Sequence, residues 1–300
     1  MNKICSLKEA VQQNVRDGDT LYAAGFTHLI PFAAGHEIIR QGRKNLTLAR
    51  ATPDLIYDQM VAAGTAKKLI FSYSSNPGVG SLRVLREAME ADRLEYEEYS
   101  HYGMISRLQA GATGLPFFPM MPTAAGDLER SNPQYRRIED PYSGKELVTV
   151  PALTPDIAVV HVQRCDAAGN AHIWGIIGEQ KEAAFAAKRV ILTAEEIVDE
   201  KIIRSDPNRT VIPEFVVDAV CHVPHCAHPS YTQGYYDRDN VFYLGWDDIT
   251  ADAVKLDAWL NEWVFDIKDR EEYWKKLGTE AHERLKVSPS WSEPVNYGAY

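Results

Sequence analysis

The chain has 300 residues, long enough for one large α/β domain or two smaller ones, and its 45% hydrophobic and 25% charged residues are ordinary for a globular protein. A formal net charge of −10 and the lack of a basic cluster argue against a nucleic-acid binder that relies on counterion release. Lys8 and Glu9 interrupt any apolar leader, no run of about 18 apolar residues exists, and four irregularly spaced cysteines (Cys5, Cys165, Cys221, Cys226) make no disulfide framework. The expectation is a reduced, cytoplasmic protein with no membrane span.

Ser6 followed by Glu9 has capping-box spacing and predicts a helix over LKEAVQQNV, stopped at Asp17-Gly18-Asp19. TLYAAGF reads as a buried strand. Pro31 then opens a helix over FAAGHEIIRQG, with Gly42 at its C-terminal end. LTLAR is the next strand, and TPDLIYDQMVAAG the next helix, with Thr52 as N-cap and Pro53 at the first turn. KLIFSY, the loop SSNPGVG and the helix SLRVLREAMEAD follow. LEYEEYS is a strand, and GMISRLQAGATG a helix closed by Gly114 and Pro116. This alternation predicts an α/β fold, a mostly parallel sheet with helices on both faces, in one domain over 1–286.

Residues 118–147 break the rhythm with four prolines, a charged stretch and the turn PYSGKE, and they predict an excursion that contains a hairpin. DIAVVHVQ is a strong buried strand, KEAAFAAK a short helix, RVILTA a strand and EEIVDEKII a helix. Two helical stretches follow near 250–264 and 269–286. The tail 287–300 has no apolar period and reads as irregular.

Three strand-to-helix junctions carry small polar residues or a histidine. The first holds Phe26, Thr27 and His28. The second is SSNPGVGS, with Ser74, Ser75, Asn76, Gly78, Val79 and Gly80. The third holds Ser100 and His101. In open parallel sheets the loops at the strands' carboxyl ends bind ligands, so these residues should converge if they share one edge. SSNPGVGS is neither a Walker loop nor a dinucleotide fingerprint. Its glycines fit either a plain turn or a backbone that approaches an acyl or phosphate group. CHVPHCAHPS packs two cysteines and three histidines together, including His228, but lacks a second ligand pair at zinc spacing. It reads as a loop entering the site, and no metal is expected. Adjacent strand residues face opposite ways, so Glu97 and Glu98 make no acid/base pair; Glu195 and Glu196 read as solvated or helix-terminal carboxylates.

The blocks GFTHLIP, IRQG, TPDL, NPGVGSL, GLPF, DPYSGKE, PDIAVVHVQ, IWGI, KEAAFAAKR, EEIVD and AHPS occur in an order that resembles the α (A) subunits of family I coenzyme A transferases, over about residues 5–280. The likeness is to the oxoadipate type, and WVFDIKDREEYWKKLG is similar to the tail of the glutaconate type. The segment from Ala24 to Pro31 is one residue shorter after its phenylalanine than the commoner family signature. The resemblance implies a three-layer α/β/α fold and a heteromeric enzyme, α2β2, acting on an acyl-CoA such as succinyl-CoA and a 3-oxo or unsaturated dicarboxylic acid. It implies ping-pong transfer through a glutamyl-CoA thioester on the partner β subunit. This chain then carries no nucleophile, and CoA enters only as part of the substrate. Phe26, Thr27, His28, Ser74, Ser75, Asn76, Gly78, Val79, Gly80, Ser100, His101 and His228 are the implied pocket residues, with His101 a candidate acid/base group. Relatives of this architecture that are hydrolases or decarboxylases of CoA thioesters supply the alternative. The ring-opening hydrolase has a glutamate near the place of His101, and this chain has no acid there.

Overall fold

The computed structural model describes residues 2–76 and 80–287. Ser6 starts the chain's first helix as its spacing predicts: its hydroxyl accepts from the Glu9 N–H at 3.2 Å, and its own N–H donates to the Glu9 carboxylate at 2.9 Å. Helix α1 (Leu7–Asn14) leads into β1 (Thr20–Ala23), α2 (Phe32–Arg40), β2 (Leu46–Ala49), α3 (Leu55–Ala62) and β3 (Ala66–Phe71). Then come α4 (Arg83–Glu90), β4 (Glu95–Glu98) and α5 (His101–Thr113). Gly42 follows α2 with φ +67°, the left-handed conformation expected of a residue that ends a helix.

Residues 117–151 form a separate antiparallel sheet of β5 (Phe117–Met120), β6 (Arg136–Glu139) and β7 (Glu146–Pro151), with the short helix α6 (Leu128–Ser131) between β5 and β6. The order is β5-β7-β6, and β6 and β7 make a hairpin closed by the Asp140 N–H to Lys145 carbonyl bond at 2.8 Å. The chain returns to the main sheet through β8 (Ile157–Cys165) and the two-residue β9 (Ala171–His172), then α7 (Gln180–Ala186) and β10 (Val190–Ile197). After α8 (Glu200–Ser205), β11 (Thr210–Ile212) and β12 (Ala219–His222), it ends in α9 (Asn240–Thr250), α10 (Ala253–Leu260) and α11 (Arg270–Arg284).

Strands β4, β3, β2, β1, β8, β10 and β12 lie side by side in that order and are all parallel; β9 pairs antiparallel with the carboxyl end of β8, and β11 antiparallel with β9. Alternate side chains face opposite layers. Leu21, Leu46, Leu48, Ile157, Val159 and Ile191 pack under α1–α4, α9 and α10. Tyr22, Ala49, Ala158, Val160 and Leu192 pack under α5, α7 and the small sheet. The three-layer α/β/α architecture is therefore as expected. No helix among the described residues is long and apolar enough to cross a membrane.

Three local expectations are corrected. Asp54, not Thr52, caps α3, because its carboxylate reaches both the Leu55 N–H at 2.7 Å and the Tyr243 hydroxyl at 3.0 Å. EEIVDEKII is not one helix: β10 continues to Ile197 because Glu196 and Ile197 stay in register with Arg164 and Cys165 of β8, and α8 starts only after Asp199 caps it. Near the C-terminus, α9 begins at Asn240, before the stretch expected from 250; Trp246 donates to Asp58 at 2.8 Å, docking α9 on α3. Gly78, Val79 and the tail from 288 onward lie outside the described residues.

Helix α5 approaches the segment before β8 closely enough that the Leu153 N–H donates to the Arg107 carbonyl at 2.9 Å. A Cβ on Gly111 would lie 2.2 Å from the Leu153 carbonyl oxygen. Gly111→Ala should therefore destabilise the chain by about 1–3 kcal/mol, the usual penalty of overpacking. Urea unfolding of the two proteins measures it, and an unchanged midpoint would mean that α5 is free to move outward.

Candidate active site

Because β1 to β4 are parallel, the loops that follow them open at one edge of the sheet. There they line a cleft of about 370 Å³. Phe26 and Thr27 come from the loop after β1, Arg50, Thr52 and Asp54 from that after β2, Tyr73 and Ser75 from that after β3, and His101 from the junction after β4. The convergence argued from the sequence thus holds for Phe26, Thr27, Ser75 and His101. Arg50, Thr52, Asp54 and Tyr73 were missed.

The loop after β1 is wound tightly. Gly25 has φ +129°, and a Cβ there would meet the carbonyl oxygens of His28 and Leu29 at 2.8 Å. Thr27 and Leu29 both have positive φ, a conformation that must be held by surrounding bonds. The Leu29 N–H donates to the Tyr231 carbonyl at 3.0 Å, and the Ser230 hydroxyl donates to the Thr27 carbonyl at 2.7 Å. The Thr27 hydroxyl is buried with no partner among the described residues and borders the cleft. His28 is not a lining residue. It is fully buried, its Nε2 accepts from the Gln233 N–H at 3.0 Å, and its Nδ1–H donates to the Ile176 carbonyl at 3.1 Å. Burial drives its pKa down to about 4, so it is a neutral strut that ties three segments together.

Arg50 is 1% exposed. Its Nη2 donates to the Gly25 carbonyl, while Nε and Nη1 have no partner among the described residues. Asp54 beside it is the one carboxylate that lines the cleft among the described residues, and its Oδ1 is already committed to the α3 cap and Tyr243. Burial raises the Asp54 pKa, partly offset by the Arg50 charge. Behind the cleft, Glu179 accepts from the Tyr22 hydroxyl at 3.0 Å and its pKa is likewise raised by burial.

In the loop after β3, Ser75 reaches the cleft but Asn76 does not: Asn76 Nδ2 donates to the Tyr243 carbonyl at 2.8 Å, and its N–H donates to the Gly80 carbonyl at 2.8 Å. Ser74 and Gly80 are not lining residues either. Among its described residues, the stretch that looked like a binding loop is anchored to α9 by its asparagine and meets the cleft through Ser75. Ser100 is spent as the N-cap of α5, accepting from the Gly103 N–H at 3.0 Å. His101, the first residue of that helix, is exposed and lies edge-on to Phe26, with ring centroids 6.2 Å apart. Its Nδ1 is 2.9 Å from the Ser72 hydroxyl, which itself lies 2.5 Å from the Ala51 carbonyl. A hydroxyl has one hydrogen, and Ala51 takes it, so His101 donates from Nδ1, and its Nε2 has no partner among the described residues.

His228 is not part of the cleft. It is fully buried, its Nε2–H donates to Asp239 at 3.1 Å and its Nδ1 accepts from the Tyr273 hydroxyl at 3.0 Å; burial lowers its pKa to about 4. The loop around it therefore clamps α11 and does not enter the site. Glu195, read as solvated, is 4% exposed. It accepts from His161 at 2.8 Å, the Tyr236 hydroxyl at 2.8 Å and the His225 N–H at 2.7 Å. Burial opposes its charge, but these bonds, led by that from His161, outweigh burial and lower its pKa. Burial opposes charge on His161 too, yet Cys226 and then Glu195 raise its pKa. A larger groove of about 640 Å³, between α2, α11 and His225, shares no residue with the first; within it Glu37 and Arg40 pair at 2.8 Å and Arg270 donates to the His225 carbonyl at 2.7 Å.

The sequence pattern of coenzyme A transferases matches residues 4–222. The chain is 49% identical to the A-type subunit of 3-oxoadipate CoA-transferase from Pseudomonas knackmussii, over 92% of its length and 99% of that protein's. It is 35% identical to the A-type subunit of glutaconate CoA-transferase from Acidaminococcus fermentans, covering 96% of each. The crystal structure of that glutaconate coenzyme A-transferase superposes with a TM-score of 0.91, again over 96% of each chain. A variant of the decarboxylase AibA/AibB superposes with a TM-score of 0.74 at 30% identity, over 87% of this chain and 100% of that one.

The buried Glu195–His161 pair gives a stability prediction with a sign. A carboxylate whose pKa is lowered by folding stabilises above its unfolded value, and that stabilisation is lost as pH falls through the folded value. Glu195→Gln should cost about 3–5 kcal/mol near neutral pH, as breaking a buried pair does, and should remove part of the acid-side fall in stability. Guanidinium unfolding at pH 7 and at pH 4 tests both; equal stability at pH 7 would show that the pair contributes nothing.

Proposed function

The chain belongs to the coenzyme A transferase family as an A-type subunit, and from that premise we propose that it forms the acid-binding half of a heteromeric enzyme that moves CoA from an acyl-CoA, such as succinyl-CoA, to a dicarboxylic acid of the 3-oxoadipate or glutaconate kind. One observation carries this reading. The cleft presents a guanidinium, an imidazole and hydroxyls, but its one carboxylate among the described residues is already bonded as a helix cap. In keeping with the family likeness, the nucleophile is a glutamate of a partner, B-type subunit, in an α2β2 or smaller assembly.

The chemistry follows from carboxylates and thioesters. A partner glutamate attacks the thioester carbonyl, the C–S bond breaks, and CoA leaves as thiolate from an acyl-glutamyl anhydride. The thiolate attacks the glutamyl carbonyl, giving glutamyl-CoA and the first free acid. The second acid repeats the two steps in reverse. Covalent exchange of this kind conserves the thioester's energy. Water has to be excluded, and Phe26 is the apolar side chain of the cleft suited to this end. CoA enters as substrate, and no further cofactor is called for.

Carboxylate, thiolate and thioester exchange with no net proton movement, so transfer does not need a general base. His101 then orients substrate. A hydrolase or decarboxylase would use its free Nε2 for proton transfer. Mixing this chain with its B-type partner subunit, succinyl-CoA and 3-oxoadipate should give CoA transfer, with neither chain active alone. Free CoA or CO2 released without an acceptor acid would instead support the hydrolase or decarboxylase. His101→Gln should lower kcat less than about 10-fold for transfer, against the roughly 100- to 10,000-fold expected of a lost general acid or base.

A further inference from the structure

Arg50 is at odds with its surroundings. It follows directly on β2, a strand buried at every position, and is itself 1% exposed. A buried guanidinium is stable only when its charge and its N–H groups are met. Here one N–H meets the Gly25 carbonyl, and the face of Tyr57 lies 5.8 Å from the guanidinium carbon. Among the described residues Nε and Nη1 have no partner, and no carboxylate is ion-paired with Arg50. Two acids that feel the Arg50 charge, Asp54 and Glu179, bond elsewhere, to the α3 N-terminus and Tyr243 and to Tyr22. Burial raises the pKa of both, partly offset by the Arg50 charge.

Arg50 borders the cleft, which at about 370 Å³ lies in the range of small-ligand sites. The unpartnered Thr27 hydroxyl borders the same space. Nε and Nη1 face different sides of the planar guanidinium, and one of them, with the second N–H of Nη2, makes a fork matched to a carboxylate. We propose that Arg50 is the specificity-determining residue of the cleft, binding the free carboxylate at the non-reacting end of a dicarboxylic substrate. This assignment rests on the reading of the cleft as the acid site of a CoA-transferase. It explains why the enzyme would select diacids: a monocarboxylic acid of the same length leaves the buried charge unmet, which costs more than the missing contact alone. The same guanidinium would equally accept a carboxylate offered by the partner subunit, and the test separates the two sources.

The experiment compares the complex of both subunits as wild type, Arg50→Lys and Arg50→Met, titrated calorimetrically with adipate and with hexanoate, its monocarboxylic counterpart. The wild type is expected to bind adipate more tightly than hexanoate. Arg50→Met should weaken adipate roughly 10- to 100-fold, the effect of a lost charged hydrogen-bonding partner, and leave hexanoate no weaker, because the unmet charge that opposed it is gone. Arg50→Lys keeps the charge without the fork and should fall between; it also supplies a folded comparison if Arg50→Met is unstable. Equal binding of the two acids by the wild type, or equal losses for both in the variants, overturns the proposal. Weakened association of the two subunits on sedimentation, with diacid preference intact, overturns it in favour of a partner carboxylate. CoA transfer by the wild-type complex is measured in parallel: its absence counts against the transferase reading, whereas transfer without diacid preference counts against Arg50 alone.

Discussion

Once the ladder between β1 and β2 stops, two strands of a parallel sheet must part without leaving bare backbone groups in the core, and a single buried hydroxyl makes this so. The Tyr57 hydroxyl accepts from the Ala23 N–H at 3.1 Å and donates to the Ala49 carbonyl at 2.9 Å. Tyr22 repeats the device one layer away, accepting from the Ala51 N–H at 3.3 Å and donating to Glu179. With the strand ends held apart and satisfied, the chain can turn outward at Gly25 and at Arg50, and the space between the turns is the cleft. The Arg50 Nη2 bond to the Gly25 carbonyl then ties the two turns to each other across that space.

The C-terminal third serves this edge from outside. Helix α9 receives the Asp54 and Asp58 carboxylates through Tyr243 and Trp246 and takes the Asn76 side chain on its backbone. The 225–236 loop holds the β1 loop through Tyr231, Ser230 and Gln233, and is itself clamped by Glu195, by His228 with Tyr273, and by Arg270 on the His225 carbonyl. Histidines that looked chemical in the sequence are mostly neutral spacers in this clamp. The exception is His101, which stands at the mouth of the cleft with one nitrogen uncommitted.

The fold was legible because its signals are local: the Ser6 and Glu9 box, the strand-helix alternation and the glycine after α2. So was the edge of the sheet that bears the site, which follows from parallel topology alone, and with it Phe26, Thr27, Ser75 and His101. What failed was the reading of individual polar side chains whose partners lie far along the chain. Asn76 bonds a residue 167 positions away and Glu195 a histidine 34 positions away, and no spacing rule reports such contacts. Ser100 was lost to the site because capping a helix is the nearer use of a serine before a helical run. Arg50 did leave a trace, an arginine closing an apolar strand, where burial of a charge demands a reason. The family resemblance located the segment but not the role of its arginine.

The account depends most on the claim that this chain builds the pocket and its partner supplies the nucleophile. Intact-mass spectrometry of the two-subunit enzyme after brief exposure to succinyl-CoA, with no acceptor acid, reads this directly. A CoA adduct on the partner chain, discharged when 3-oxoadipate is added, is the predicted result. An adduct on this chain, or none on either while CoA is set free, would contradict it.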